Sequence, residues 1–289
     1  MHVITGTTQL LGVIGQPVEH SLSPVMHNAA IAALGVNFVY LPLPVPSDRL
    51  RAAIQGFEAI GLRGFNITIP HKQQIMPLLS EVSDVAQAVG AVNTVWRTEQ
   101  GWSGTNTDIT GFLAPLRSHD LRGQTALILG NGGAARAVVA GCAQLGCSAI
   151  QVVGRNPAKL AQFEASWQSA KLPPPLTVQP WTALATLLPQ ADLVINTTPL
   201  GMSPQIAASP LSADLAATLN PQAIAYDLIY TPSPSQFLKQ AAQQGLQTID
   251  GLEMLVQQGA AALEIWLGQP APVDIMRRSL RQALKLEND

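Results

Sequence analysis

The segment that most limits the fold of this chain is 125-TALILGNGGAARAVVAGCAQLGCSAIQVVGR-155. An uncharged run, TALIL, enters a glycine turn. An alanine-rich stretch follows, and a second apolar run ends at Val153. Strand, helix and strand in that order require a parallel pairing with a crossover, so the chain must contain an α/β layer. The turn Gly130-Asn131-Gly132-Gly133-Ala134-Ala135 fits G-x-G-x-x-G/A. Gly130 makes the tight turn, Gly132 lets the backbone approach a pyrophosphate, and the small Ala135 permits close helix–strand packing. Gly133 and Ala134 open the helix, whose free N–H groups and positive dipole end favour an anion. As a bare string the match is weak; between a strand and a helix it is much stronger. The bland alternative is a tight turn that binds nothing.

The second strand carries the cofactor preference. A domain of this kind that takes NAD places Asp or Glu about 20 residues past the turn, on the ribose 2′-hydroxyl. Here the strand ends in Val153-Gly154-Arg155-Asn156, and Lys159 lies one helical turn further. A guanidinium binds a 2′-phosphate that a carboxylate would repel. The segment therefore favours NADP (NADPH) over NAD, against the alternative of a solvated arginine at Arg155.

The turn begins well inside a chain of 289 residues, and an α/β pattern already precedes it. Single cores stop growing at around 250–300 residues, so the length suggests two domains or one large one. LLGVIG at 10–15 reads as a buried strand. A helix is expected from Ser23 or Pro24 to Leu34, stopped by Gly35. NFVYLPLPV at 37–45 reads as a strand whose prolines place it at an edge. Ser47 is a plausible N-cap for the next helix. GFNITIP is a third strand, and residues 91–106 form a hairpin turning near Glu99–Gly101. Further strands are expected at 192–196 and 223–228, with a proline-rich loop at 172–176. The tail is helical from Leu252, with a break at 268–272. The expected architecture is an N-terminal α/β substrate domain, 1–108 with 252–289, and a Rossmann-like doubly wound dinucleotide domain, 109–251. The C-terminal helices return to the first domain.

Composition excludes several partners. The net charge of −2, with 12% charged residues, offers no field for nucleic acid or an anionic membrane. The N-terminus does not read as a signal peptide, and no stretch reads as a membrane span. Cys142 and Cys147 fit no zinc or redox spacing and read as buried small hydrophobes. A soluble cytoplasmic protein is the expectation. His2, His20, His27, His71 and His119 are scattered, and no metal-ligand cluster is visible.

A nicotinamide enzyme also needs a site that presents an alcohol or ketone. Four clusters offer one. Ser21 and Ser23 in 19-EHSLSP-24 suit a carboxylate, or one of them caps a helix. Thr68 and Lys72 lie at and past the end of the third strand, the edge where ligands of open α/β sheets bind. Lys72 is otherwise an exposed lysine beginning a helix. Asn93 stands in an apolar strand, and Asn106 and Asp108 follow the hairpin. His71 competes as an acid–base group but should face away from Lys72 in an extended chain.

Together GVIGQPVEHSLSPVMHNAA, FNITIPHK, GAVNTV, GTNTD, GNGGAARA, NTTPLGM and GLEMLVQQ occur in one order along nearly the whole chain. This set resembles the shikimate dehydrogenase family. The resemblance implies NADP-linked interconversion of 3-dehydroshikimate and shikimate, a step of aromatic amino-acid (chorismate) biosynthesis. It implies that Ser21 and Ser23 bind the substrate carboxylate and that Thr68, Asn93 and Gln258 bind its hydroxyls. Lys72 and Asp108 become the catalytic pair, Tyr230 a substrate contact, and Met202 and Gly251 neighbours of the nicotinamide. Departures are Asn131, where the family often has alanine, and Gly154-Arg155-Asn156, where Asn-Arg-Thr is common. A quinate-using relative, a metabolite sensor without turnover, and a dinucleotide-binding structural domain are the rival readings.

Overall fold

The computed structural model describes residues 3–168 and 175–286. It comprises two compact units, Met1–Gly111 with Leu255–Asp289, and Phe112–Met254. His2 and the prolines at 173–174 of the expected loop lie outside the described residues.

The first unit begins with β1 (Gln9–Gly15), α1 (Ser23–Leu34), β2 (Phe38–Pro44), α2 (Leu50–Ala59) and β3 (Gly64–Ile67). It continues with β4 (Glu81–Val82), α3 (Asp84–Val89), β5 (Thr94–Thr98), β6 (Gly101–Thr105) and the start of α4 (Asp108–Leu113). The sheet order is β2-β1-β3-β5-β6-β4. β1 runs parallel to both β2 and β3, and the β5–β6 hairpin continues the sheet antiparallel. β2 takes the outer position, as its prolines require, because proline has no N–H to give a second neighbour.

Two local expectations are corrected. Ser47 does not cap α2: extended Pro46 precedes a 3-10 turn over Ser47–Arg49, and no side chain caps it. The serine already lies inside the turn it was expected to cap. The third strand stops at Ile67, short of Pro70, and Ile69 is 65% exposed instead of extending the apolar face. The chain then turns, so Lys72 emerges from a turn and not from an extended strand. Below the sheet, Ile14, Ile54, Phe65, Val95 and Trp102 pack together, with Phe65 edge-on to Trp102 at 5.2 Å.

The second unit contains β7 (Thr125–Leu129), α5 (Gly133–Gln144), β8 (Ala149–Gly154), α6 (Pro157–Gln168), β9 (Leu176–Pro180) and α7 (Leu184–Leu187). β10 (Leu193–Asn196), α8 (Ala213–Ala216), β11 (Ile224–Asp227), α9 (Gln236–Gln243) and β12 (Gln247–Ile249) complete it. The order is β12-β11-β10-β7-β8-β9, with every pairing parallel. The chain winds outward from β7 and then returns to β10 on the other side, which leaves a switch point between β7 and β10. Both faces are covered. Ala126, Ile128, Ile150, Val152, Leu193 and Ile195 point into one core, and Leu127, Leu129, Val153 and Val194 into the other. That is why TALIL and LVI read as continuous apolar runs rather than alternating ones. β9 and β12, the edge strands, need no such run, and no sequence pattern signalled them. Cys142 and Cys147 are free thiols buried in this unit.

The helical tail forms α10 (Leu252–Leu267) and α11 (Val273–Ala283). α11 packs on α1 in the first unit. Trp266, near the end of α10, donates its indole N–H to the carbonyl of Val95 in β5 at 2.9 Å. No helix among the described residues is long and apolar enough to cross a membrane.

Candidate active site

In the first unit the site grows from the C-terminal ends of β1 and β3. After β1 the chain crosses to the serine loop. Leu22, not a serine, occupies the N-cap position of α1, and no side chain caps that helix. Ser21 accepts a bond from the Ser23 N–H at 3.3 Å, and its hydroxyl proton is free for another acceptor. The capping alternative therefore fails; the Ser21 hydroxyl proton stays available, while the Ser23 hydroxyl hydrogen-bonds the Tyr40 phenol. Thr68, just past β3, is pinned by its N–H to the Ile14 carbonyl at 2.9 Å.

Lys72 follows in the turn. Its own carbonyl accepts the Val92 N–H at 2.8 Å, which ties the turn to the segment entering β5. Its ammonium meets Asp108 Oδ2 at 2.6 Å, with the two side chains 17% and 8% exposed. Two charges so far from water need each other and further hydrogen bonds. Asp108 opens α4, where Asn106 accepts its N–H at 3.0 Å and anchors itself to the Ala91 carbonyl at 2.9 Å. The second carboxylate oxygen accepts Asn93 Nδ2 at 2.8 Å. Asn93 also reaches Gln258 Oε1 on α10 at 3.3 Å. Lys72, Asp108, Asn93 and Gln258 thus converge. His71 turns away, with Nε2 2.7 Å from the Val45 carbonyl. Such a pair can donate a proton to a carbonyl oxygen or take one from a hydroxyl.

In the second unit the glycine turn sits at the switch point. Gly130 has φ +106, a region that L side chains rarely adopt, and an added Cβ would stand 2.9 Å from Thr197 Oγ1. Thr197 in turn donates to the Leu129 carbonyl at 2.8 Å, so the loop after β10 closes over the turn. Gly132 takes the N-cap position of α5, no side chain caps the helix, and a Cβ on Gly132 would meet nothing within 4 Å. Gly133 and Ala134 begin the helix, and Ala135 is buried against the sheet. The first N–H groups of a helix have no acceptor within the helix, which suits this turn to an anion. Asn131 has a buried Nδ2 without a partner. Arg155 and Lys159 are exposed past the end of β8. Asn156 is used locally, accepting the Lys159 N–H at 3.1 Å. An open backbone cradle beside two free cations fits a phosphorylated dinucleotide.

Met202 is 41% exposed in the loop after β10. Gly251 passes so close to β11 that a Cβ would collide with the Leu228 carbonyl, at 2.1 Å. Tyr230 is half-buried beyond β11. Two residues missed from the sequence hold this loop. Asn196 is buried, accepts the Thr198 N–H at 3.0 Å and donates to Asp227 Oδ1 at 3.0 Å. Asp227 also accepts from Ser235 and the Ile229 N–H. Burial pushes its carboxyl up to about 6, against the pull of those hydrogen bonds. Their signal was a polar residue ending each apolar run, LVIN and IAYD. Among the described residues no group of His, Cys, Asp and Glu could hold a metal ion.

A phosphate cradle on a parallel α/β unit and a buried ammonium–carboxylate pair on another define a dinucleotide-dependent oxidoreductase acting on an alcohol or ketone. The sequence matches the model of the shikimate dehydrogenase substrate binding domain over residues 13–95. Residues 251–281 match the shikimate 5′-dehydrogenase C-terminal domain. The shikimate dehydrogenase (NADP(+)) of Trichormus variabilis is 61% identical over 288 residues, covering 98% of this chain and 100% of that one. The shikimate dehydrogenase of Aquifex aeolicus superposes with a TM-score of 0.87 at 35% identity, covering 96% and 100% of the two chains. That of Thermus thermophilus, solved with NADP(H) and shikimate, gives 0.83 at 34%, covering 96% and 100%. The chain belongs to the shikimate dehydrogenase family.

Proposed function

We infer that the chain catalyses the NADP-linked, reversible reduction of 3-dehydroshikimate to shikimate in aromatic amino-acid biosynthesis. The observation that carries this reading is the 2.6 Å contact of Lys72 with Asp108 at the strand ends of the first unit. NADPH, held at the glycine turn, supplies the hydride. Lys72 gives a proton to the ketone oxygen and takes it back in the reverse direction. Asp108 orients the lysine and the reacting hydroxyl. Ser21 and Ser23 hold the substrate carboxylate. Thr68, Asn93 and Gln258 hold its hydroxyls, and Tyr230 carries the remaining substrate contact. Gly130, Gly132, Gly133, Ala134 and Ala135 cradle the pyrophosphate. Arg155 and Lys159 bind the 2′-phosphate, and Met202 and Gly251 border the nicotinamide. The first unit is the substrate domain and the second the NADP domain. The protein works in the cytoplasm as a monomer or homodimer, with no nucleic-acid partner, in keeping with its net charge of −2.

The test is nicotinamide absorbance with shikimate and with quinate, each with NADP and with NAD. Rapid turnover for shikimate with NADP alone is expected. Comparable rates with quinate would move the chain to a dual-substrate reading, and no turnover with any pair would leave the sensor. Lys72→Met is expected to lose most turnover, about a hundredfold or more, while KM changes little. Unchanged turnover in that variant would remove Lys72 from the mechanism.

A further inference from the structure

Tyr40, Asn66 and Thr94 have no part in the reaction as described, yet they form a continuous path to its carboxylate. Tyr40 Oη donates to Asn66 Oδ1 at 2.7 Å. Asn66 Nδ2 donates to Thr94 Oγ1 at 3.1 Å and to the Asn93 carbonyl at 3.2 Å. Thr94 Oγ1 donates to Asn93 Oδ1 at 3.0 Å. Asn93 Nδ2 then donates to Asp108 Oδ1 at 2.8 Å. Every residue on this path is buried.

The polarity of the path is fixed at its two amides by groups that have only one role. The Asn93 carbonyl can only accept, so Asn66 must turn its NH₂ toward it and its oxygen toward Tyr40. The phenol must then donate. Thr94 receives an N–H from Asn66, and its own proton has two acceptors, Asn93 Oδ1 at 3.0 Å and Thr107 Oγ1 at 3.1 Å. The backbone N–H of Thr107, which can only donate, meets Asn93 Oδ1 at 2.7 Å. The NH₂ of Asn93 must therefore face Asp108. All donors point toward the carboxylate, and aligned bonds in a low-dielectric interior polarise one another. The far end is held stiffly. The Tyr40 ring stacks on His27 at 4.2 Å, with the planes 13° apart. The Ser23 hydroxyl stands beside the phenol.

We propose that Tyr40, Asn66 and Thr94 are positioning residues for the reaction, whose one-way hydrogen bonds lock the amide of Asn93 and through it hold the Asp108 carboxylate against Lys72. The proposal rests on the acid–base reading of Lys72 and Asp108. Without Thr94 the Asn93 amide loses one of the bonds that fix its direction. A rotated amide would set its oxygen against the carboxylate, and the pair would lose its geometry.

The experiment compares Thr94→Val, which removes the hydroxyl, with Thr94→Ser, which keeps it, in kcat and in KM for shikimate and NADP. Thr94→Val is expected to lower kcat roughly tenfold or more with KM for NADP unchanged, and Thr94→Ser to restore most of it. The same change made in Asp108→Asn should cost less than about threefold, because the group being positioned is gone. Equal losses in both backgrounds, or no rescue by serine, would overturn the proposal and leave Thr94 a packing residue. If Thr94→Val does not fold, as judged by its thermal melt, Tyr40→Phe deletes a single oxygen and runs through the same cycle. The outcomes separate cleanly. Turnover retained in Lys72→Met sinks the acid–base reading itself, whereas its loss beside an additive Thr94 cycle sinks only the positioning role.

Discussion

The two units build the ends of their parallel strands from opposite materials. The second unit builds its central strands mainly from apolar residues. β7, β10 and β11 are largely apolar strands, and Asn196 and Asp227 end β10 and β11. The groups proposed to meet the dinucleotide are mostly backbone, exposed by glycine. The first unit threads polar side chains through the sheet itself, from Tyr40 in β2 through Asn66 in β3 to Thr94 in β5. A phosphate needs N–H groups at a helix end, which any backbone supplies. A proton transfer needs two ionisable side chains held in one geometry, and that requires buried, fully paired neighbours. The difference between the units follows from the chemistry each is assigned.

The largest break in this contrast should come from Asp108→Ala. It strands the Lys72 ammonium in a mostly buried site, so turnover should fall about 10²–10⁴-fold, read by nicotinamide absorbance. Denaturant unfolding of the same variant should show a loss of about 3 kcal/mol. His27 probes the first unit by pH. Burial holds its imidazole down to about 3 from 6.5, so the folded state keeps it neutral while the unfolded chain protonates it. Stability from this group is complete above pH 6.5 and is lost as pH falls from there toward 3, by up to roughly 5 kcal/mol. Amide exchange of β1–β3 across that range should show the loss, and His27→Phe, which keeps the stack on Tyr40, should flatten it.

Asp227 gives the second unit the opposite sign. Its folded carboxyl titrates near 6 against 3.8 unfolded, so the folded state binds the extra proton between those values. The second unit should therefore gain stability as pH falls from 6 to 3.8, by at most about 3 kcal/mol. Amide exchange of β10 and β11 checks it, and Asp227→Asn should remove the slope. If both units lose stability together over that window, the contrast fails. Gly130→Ala should cost about 2 kcal/mol, from φ +106 and the contact with Thr197, and should weaken NADPH binding in a titration. The smallest effect is expected from Arg155→Gln, which should raise the Kd for NADPH roughly tenfold and leave NADH unchanged.

The units also differ in how much of each could be read in advance. The glycine turn was legible because its requirements are local. Gly130, Gly132 and Ala135 each answer a demand made within one strand–turn–helix segment. The edge position of β2 was legible for the same reason, since Pro42 and Pro44 lack the N–H another neighbour would need. Asn196 and Asp227 were overlooked although each ends an apolar run, because a polar residue at a strand end is ordinary until its partner is known. The third strand was read too long because alternation in FNITIP continues past the point where Pro70 turns the chain.

By itself, the sequence determined the α/β layering, the glycine turn between β7 and α5, and the order of motifs that marks the family. Those features depend on backbone demands and apolar period, which act over a few residues. Only the tertiary structure decided that Lys72 meets Asp108 across 36 positions and that Asn93 meets Gln258 across 165. Only it showed that neither Ser21 nor Ser23 is spent on capping α1. The direction of the bonds from Tyr40 to Asp108 was also its decision. Whether a buried polar side chain is a partner or a liability depends on which strand the sheet lays beside it, and no local pattern encodes that neighbour.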